Sequence, residues 1–259
     1  MKLSQFIGKS TRIMFILSVA FCPMQLRADI TVKEQIKQGG VVPSEVWTRK
    51  LLIKGFKMRV ESLSGKESYV TIYDLETGKR VRLSPKRKEA LVMDLAPLSE
   101  RMRGRVVASK LARQIRATGN KKEVAGESCE EYTFDLQAPI AHFAVQHDKG
   151  TVCVSQNMPG GVEFTNFVHE AKKRGYTDPA SFCSPTVSSI GSYFYGEEPN
   201  VMVLFAKTES AAEGGPVLQL HGMTALESTM TVTEIDSTSE IPDEEFQIPA
   251  DWKVKKDSM

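Results

Sequence analysis

Two cysteines carry the clearest chemistry in the chain. Cys129 opens the run CEEYTFDL and shares a strand face with Glu131 and Thr133, opposite Tyr132 and Phe134. Cys153 lies in GTVCVSQ, opposite Val152 and Val154. These assignments follow from the two-residue repeat of a β-strand. If the two runs form a hairpin, both thiols point to its less apolar face. A register that opposes them directly, with the connection centred near Ala141, would bring their Cβ atoms close enough to bond. The residues leave two outcomes open: a Cys129–Cys153 bridge, or free thiols throughout. Cys183 is left over in either case.

Other reactive residue types form no recognisable site. His142 and His147 flank an Ala/Val stretch, and His169 and His221 stand apart. None has the helical i,i+4 spacing of a metal pair or a zinc-finger repeat. The chain has no Gly-x-Ser-x-Gly elbow, phosphate loop or His-Glu-x-x-His segment. Glu130-Glu131 and Glu244-Glu245 are adjacent pairs, which a strand sends to opposite faces. The expectation is a protein that is not an enzyme, with no catalytic residue, no metal and no cofactor. A basic cluster remains: Lys79, Arg80, Arg82, Lys86, Arg87 and Lys88. It suits an anionic membrane surface or a lipid head group, or simply a solvated face balanced by acids elsewhere.

Strands must position most of these residues. Within WTRKLLIKGFKMRVE (47–61), Phe56, Met58 and Val60 alternate with Lys57, Arg59 and Glu61, the period of a half-buried strand. Further strands are predicted over 68–74, 80–83 and 89–95, with a turn at Thr77-Gly78, which makes an antiparallel meander. Between Ser99 and Thr118 the period changes. Met102, Val106, Val107, Leu111 and Ile115 recur every few residues, which predicts an amphipathic helix. Strands resume over 129–136 and 150–156. A second helix is predicted over 162–175, its terminal Lys172 to Arg174 suited to the helix dipole. A loop with a short helix between Pro185 and Gly196 follows. Strands return at 201–207, 217–223 and 226–235. Ile241, Phe246, Ile248 and Trp252 resemble a tail packed along a sheet edge.

The N-terminus addresses the chain. Lys2, Lys9 and Arg12 precede an apolar run, Ile13 to Cys22, and no acid appears before Asp29. Pro23 breaks the run and Ala28 offers a small residue for cleavage. That is the pattern of a secretory signal peptide over residues 1–28, and the apolar run is too short to span a bilayer. An uncleaved anchor and lipidation at Cys22 are the alternatives. Removal of Lys2, Lys9, Arg12 and Arg27 leaves 30 basic and 32 acidic side chains, so a charge of +2 becomes −2. Nucleic acid is therefore not an expected partner. Export, periplasmic or secreted, permits a disulfide. Residues 29–259 are expected to form one domain with ample core.

Several motifs in order carry a resemblance. LLIKGFKMRVE (51–61) holds Gly-x-x-x-Arg, and TIYDLETGKRVRLSPKRKEALVMDL (71–95) follows with a Leu-x-Pro step before a Lys-rich turn. VAGESCEEY (124–132) and PDEEFQIP (242–249) complete the set. This order resembles an uncharacterised bacterial exported domain family that is similar to the periplasmic lipoprotein-carrier (LolA/LolB-like) superfamily. The resemblance implies an α+β fold, mainly antiparallel: a curved half-barrel sheet with helices covering its concave face. It implies a cavity for a lipid or another apolar ligand, such as lipoprotein acyl chains. Inward candidates are Trp47, Phe56, Met58, Val60, Met102, Val106, Leu111, Tyr132 and Phe134, all of which could equally fill a core. Arg59 would meet a head group at the mouth, although its parity opposes Phe56 and Met58. The alternative function is a structural or partner-binding module of the cell envelope.

Overall fold

The computed structural model describes residues 29–40, 44–65, 67–95, 115–141, 144–176, 194–195, 200–213 and 226–256. Their frame is one sheet of twelve strands. In chain order these are β1 (Ile30–Gly40), β2 (Glu45–Lys54), β3 (Lys57–Ser64), β4 (Glu67–Asp74), β5 (Lys79–Ser84), β6 (Glu89–Asp94), β7 (Ile115–Val124), β8 (Glu127–Ala141), β9 (Ala144–Gln156), β10 (Val201–Glu213), β11 (Leu226–Asp236) and β12 (Lys253–Lys256). Their spatial order is β12-β6-β5-β4-β3-β2-β1-β11-β10-β9-β8-β7. All neighbours pair antiparallel except β12 and β6, which run parallel. The sheet is therefore open, with β12 and β7 at its edges.

The first strand joins the two halves. β1 pairs with β2 on one side and with β11 on the other. Its alternation Ile30, Val32, Glu34, Ile36 is buried on one face. The predicted run 47–61 is two strands, because Gly55 (φ +58°) turns the chain between Lys54 and Lys57. Glycine adopts this left-handed conformation without steric cost.

One α-helix stands among the described residues, α1 (Gly161–Lys173), close to the span expected. It packs on β10 and β2 through Phe164, Phe167, Val168 and Ala171, with Phe167 fully buried. Its start is set by Gly160 (φ +79°), where a Cβ would stand 2.3 Å from Ile30 Cδ1. Its end is tied down by Arg174, which donates to the Leu75 carbonyl (2.6 Å) and lies 5.6 Å from the Phe56 ring centre. Helix α1 thus lies on the face of Ile30, Ile53 and Met58, here called the helix face.

The opposite face of β2–β5 is covered by the C-terminal tail. Ile241 and Phe246 bury Leu52, Val70, Ile72 and Leu83, with Trp252 packed alongside. The tail was expected along a sheet edge. It crosses the sheet instead and reaches the edge only at β12. The period-2 pattern of β2–β5 leaves apolar residues on both faces, so each face needs a cover.

The helix expected over 99–118 is corrected at its end. Ile115 to Thr118 belong to β7, where Ile115 pairs with Phe134 and Ala117 with Tyr132. Pairing to β8 satisfies a whole row of backbone groups there, which outweighs a helical periodicity. Met102, Val106 and Leu111 lie outside the described residues, as do the signal segment 1–28, Cys183 and the strand expected at 217–223. The half-barrel with several helices over a concave face reduces here to an open antiparallel sheet with one described helix.

Curvature is marked at one end. In a flat sheet, four strand spacings would separate β7 from β11 by about 19 Å. Their Cα atoms approach within 8 Å. β7 bends over the face opposite α1, and its Lys122 ammonium lies 5.6 Å from the Phe205 ring centre on β10.

Candidate functional site

On the helix face, registered positions make a row across six strands: Tyr132, Val152, Ala206, Met230, Ile36 and Trp47, on β8, β9, β10, β11, β1 and β2. The four central residues are buried. The two terminal aromatics are only half-buried against the core. Tyr132 meets Phe194 edge-on, with ring centres 5.0 Å apart, and Trp47 donates through Nε1 to Glu45 (3.0 Å). The row is thus apolar throughout, and both of its ends are accessible.

Beside it runs a row that breaks the apolar pattern. Val232, Glu34, Arg49 and Ser62 oppose one another on β11, β1, β2 and β3. Arg49 Nε donates to Glu34 Oε2 at 2.8 Å and a second guanidinium nitrogen also reaches that oxygen. The side chains are 5% and 8% exposed. Burial pushes the Glu34 carboxyl above its ordinary range, and Arg49 offsets only part of that rise. Burying two charges costs several kcal/mol per ion unless their geometry compensates. The sequence reading missed this pair. Its signal was present: Glu34 has the parity of Val32 and Ile36, and Arg49 that of Trp47 and Leu51.

The residues named from sequence fall in several places. Met58 (0% exposed), Val60 and Phe134 (3%) are buried on the helix face, in the same core cluster as α1. Phe56 sits in the β2–β3 turn under Arg174. Trp47 and Tyr132 end the apolar row. Cavities of about 520 and 460 Å³ are bounded by described residues, and none of these six residues lines either one.

Arg59 lies on the tail face, paired with Leu52 and Ile72. Its Nη1 donates to the Glu245 carbonyl (2.8 Å) and its Nε to Glu61 (2.7 Å). It clamps the C-terminal tail and stands on the sheet face opposite α1, as its parity requires.

Cys129 and Cys153 are joined by a disulfide, with Cα atoms 5.4 Å apart. They do not oppose one another directly: Cys153 pairs with Glu131, so the bridge is diagonal. Their face was expected to be the less apolar one, yet both are buried. Phe205, opposite Cys153 on β10, and the overhanging β7 cover it. Beside the bridge, Glu131 accepts from Lys122 and from Asn120 (3.2 Å), which holds its carboxyl below its ordinary range.

The basic cluster divides. Lys79 pairs with Asp94, Lys88 with Asp251 (2.8 Å), and Arg80 donates to Met93 Sδ (3.3 Å). Arg82, Lys86 and Arg87 border the larger cavity. Among the described residues no group of three metal-ligating side chains gathers, and no helix is long and apolar enough to cross a membrane.

No family model and no curated protein matches the sequence. Solved structures do align with it. An uncharacterized conserved protein from Thermus thermophilus covers 90% of this chain and 92% of its own, at a TM-score of 0.42 and 8% identity. A LolA superfamily protein from Nitrosomonas europaea covers 86% and 91%, at 0.29 and 7%. An outer membrane lipoprotein-sorting protein domain from Vibrio parahaemolyticus covers 86% and 90%, at 0.31 and 6%. The structural neighbours of this chain thus include a LolA superfamily protein. At such scores the likeness carries no role across, and the site stands on its own geometry.

Proposed function

We propose that this chain is an exported, non-catalytic protein that holds a lipid or another apolar ligand against the helix face of its sheet. The observation that carries this reading is the six-strand apolar row whose two ends, Trp47 and Tyr132, remain half-buried. A fully closed core would bury such rings, because each carries a large apolar area. Half-exposed aromatics that flank a buried apolar strip offer a ligand both a platform and a continuation into the core. Export rests on the pattern of residues 1–28.

A second reading has its own support. Met58, Val60 and Phe134 are packed into the core, as expected of a partner-binding module with a filled interior. A fluorescent fatty-acid probe separates the two. Saturable binding to the intact chain, weakened at least about tenfold (~1.4 kcal/mol) by Trp47→Asp or Tyr132→Asp at unchanged circular dichroism, supports the apolar-ligand reading. No saturable binding sinks it in favour of the filled core.

A further inference from the structure

The larger cavity opens on the helix face at the far side of the sheet from β7. Register places Tyr69 and Arg82 on that face of β4 and β5, and Leu91 and Lys255 on that face of β6 and β12. The chain turns at the cavity rim through a 3₁₀ turn, Pro85–Arg87, which Lys88 closes in a left-handed conformation. This turn sets Lys86 and Arg87 beside Arg82 around a space of about 520 Å³.

The charges there do not balance. Glu89 is held by Lys255 (2.8 Å), and Glu67 accepts from the Tyr69 hydroxyl. Both acids of the cavity are thereby engaged. No hydrogen bond or ion pair links Arg82, Lys86 or Arg87 to another described residue. The contrast with their sequence neighbours is informative. Lys79 and Lys88 point elsewhere, and each has a carboxylate partner. Within this cluster Arg82, Lys86 and Arg87 form no ion pair among the described residues and share the cavity, whose fourth cation, Lys255, is the one that holds Glu89. Tyr69, half-exposed at 52%, and Leu91 add apolar walls beside them.

We propose that this groove binds a phosphate group, with Arg82 and Arg87 as its main ligands and Lys86 and Lys255 completing the positive rim. Guanidinium groups match phosphate oxygens in paired hydrogen bonds, and an ammonium adds charge without that geometry. Tyr69 and Leu91 would contact the organic part of the ligand. The phosphate belongs either to a small soluble ester or to the head group of an anionic lipid. The proposal is independent of the apolar row: fatty-acid binding at Trp47 can fail while it holds.

The test uses the full mature chain and two probes. Calorimetry reads sn-glycerol 3-phosphate. Co-sedimentation reads phosphatidylcholine vesicles with and without phosphatidylglycerol. Arg82→Ser/Arg87→Ser removes two groove cations. Lys79→Ser/Lys88→Ser removes the same charge outside it. Glycerol phosphate binding that falls at least about tenfold (~1.4 kcal/mol) in the groove variant, and less than about twofold in the other, supports a soluble ester. Binding confined to phosphatidylglycerol vesicles, with the same dependence on the variants, supports a lipid head group. Either interaction should weaken as salt rises. The proposal is overturned if neither probe binds, or if both variants lose binding equally.

Discussion

Glu34 and Arg49 face each other across β1 and β2 as a buried ion pair beside the apolar row of the helix face, Nε to Oε2 at 2.8 Å. Removing one partner strands the other charge away from water. Arg49→Met should therefore cost about 3–5 kcal/mol in urea unfolding, whereas Glu34→Met/Arg49→Met should recover most of that loss. Equal stability of the single and double variants would show that the pair is not coupled.

The sign of the Glu34 shift makes a separate prediction. A carboxyl raised by burial holds its proton more tightly in the folded chain than in the unfolded one. Its contribution therefore favours folding at low pH and declines as the pH rises through its folded value. Glu34→Gln should remove this pH dependence, read as a change in the slope of midpoint denaturant concentration against pH.

Opposed to it are carboxyls held low by cations. Glu131 (with Lys122), Asp251 (with Lys88) and Asp243 (with Lys54) are the examples. Their stabilisation is present above the ordinary carboxylate values, 4.5 for Glu and 3.8 for Asp, and is lost as the pH falls further. Tm measured through that window should drop, and Glu131→Gln should make the drop shallower. A Tm curve unchanged by Glu131→Gln would remove Glu131 from the account.

The disulfide should be visible by mass and by stability. Without reductant, alkylation should leave Cys129 and Cys153 unmodified; after unfolding and reduction both should react. Cys129→Ser/Cys153→Ser should lower stability by about 3.5 kcal/mol, the loop-entropy expectation for a sequence separation of 24. Alkylation of either thiol in the unreduced chain would contradict the bridge.

Gly160 sets how α1 meets β1. A side chain there would stand 2.3 Å from Ile30 Cδ1 in a left-handed backbone, φ +79°. Gly160→Ala should cost about 1–3 kcal/mol, while Gly119→Ala should cost less. Gly119 is also left-handed, but nothing lies within 4 Å of its Cβ position. Equal losses would mean that backbone conformation alone matters and the Ile30 contact does not.

What the sequence determined by itself was local. Alternation placed most strands of the meander, and apolar spacing with terminal cations placed α1. Strand parity put Arg59 opposite Met58, which the structure shows as a clamp on the tail. The tertiary structure decided what periodicity cannot encode. Ile115 to Thr118 have helical spacing but join β7, because β8 supplies backbone partners. Cys129 and Cys153 are buried because β7 folds over them, an event of the whole sheet and not of either strand. Glu34 and Arg49, fifteen residues apart, become one ion pair only when β1 and β2 register. Arg82, Lys86 and Arg87 differ from Lys79 and Lys88 for the same reason. Residue type is shared along the cluster, but the pairing of β5 and β6 together with the turn Pro85–Arg87 decides which cations meet a carboxylate and which line a cavity.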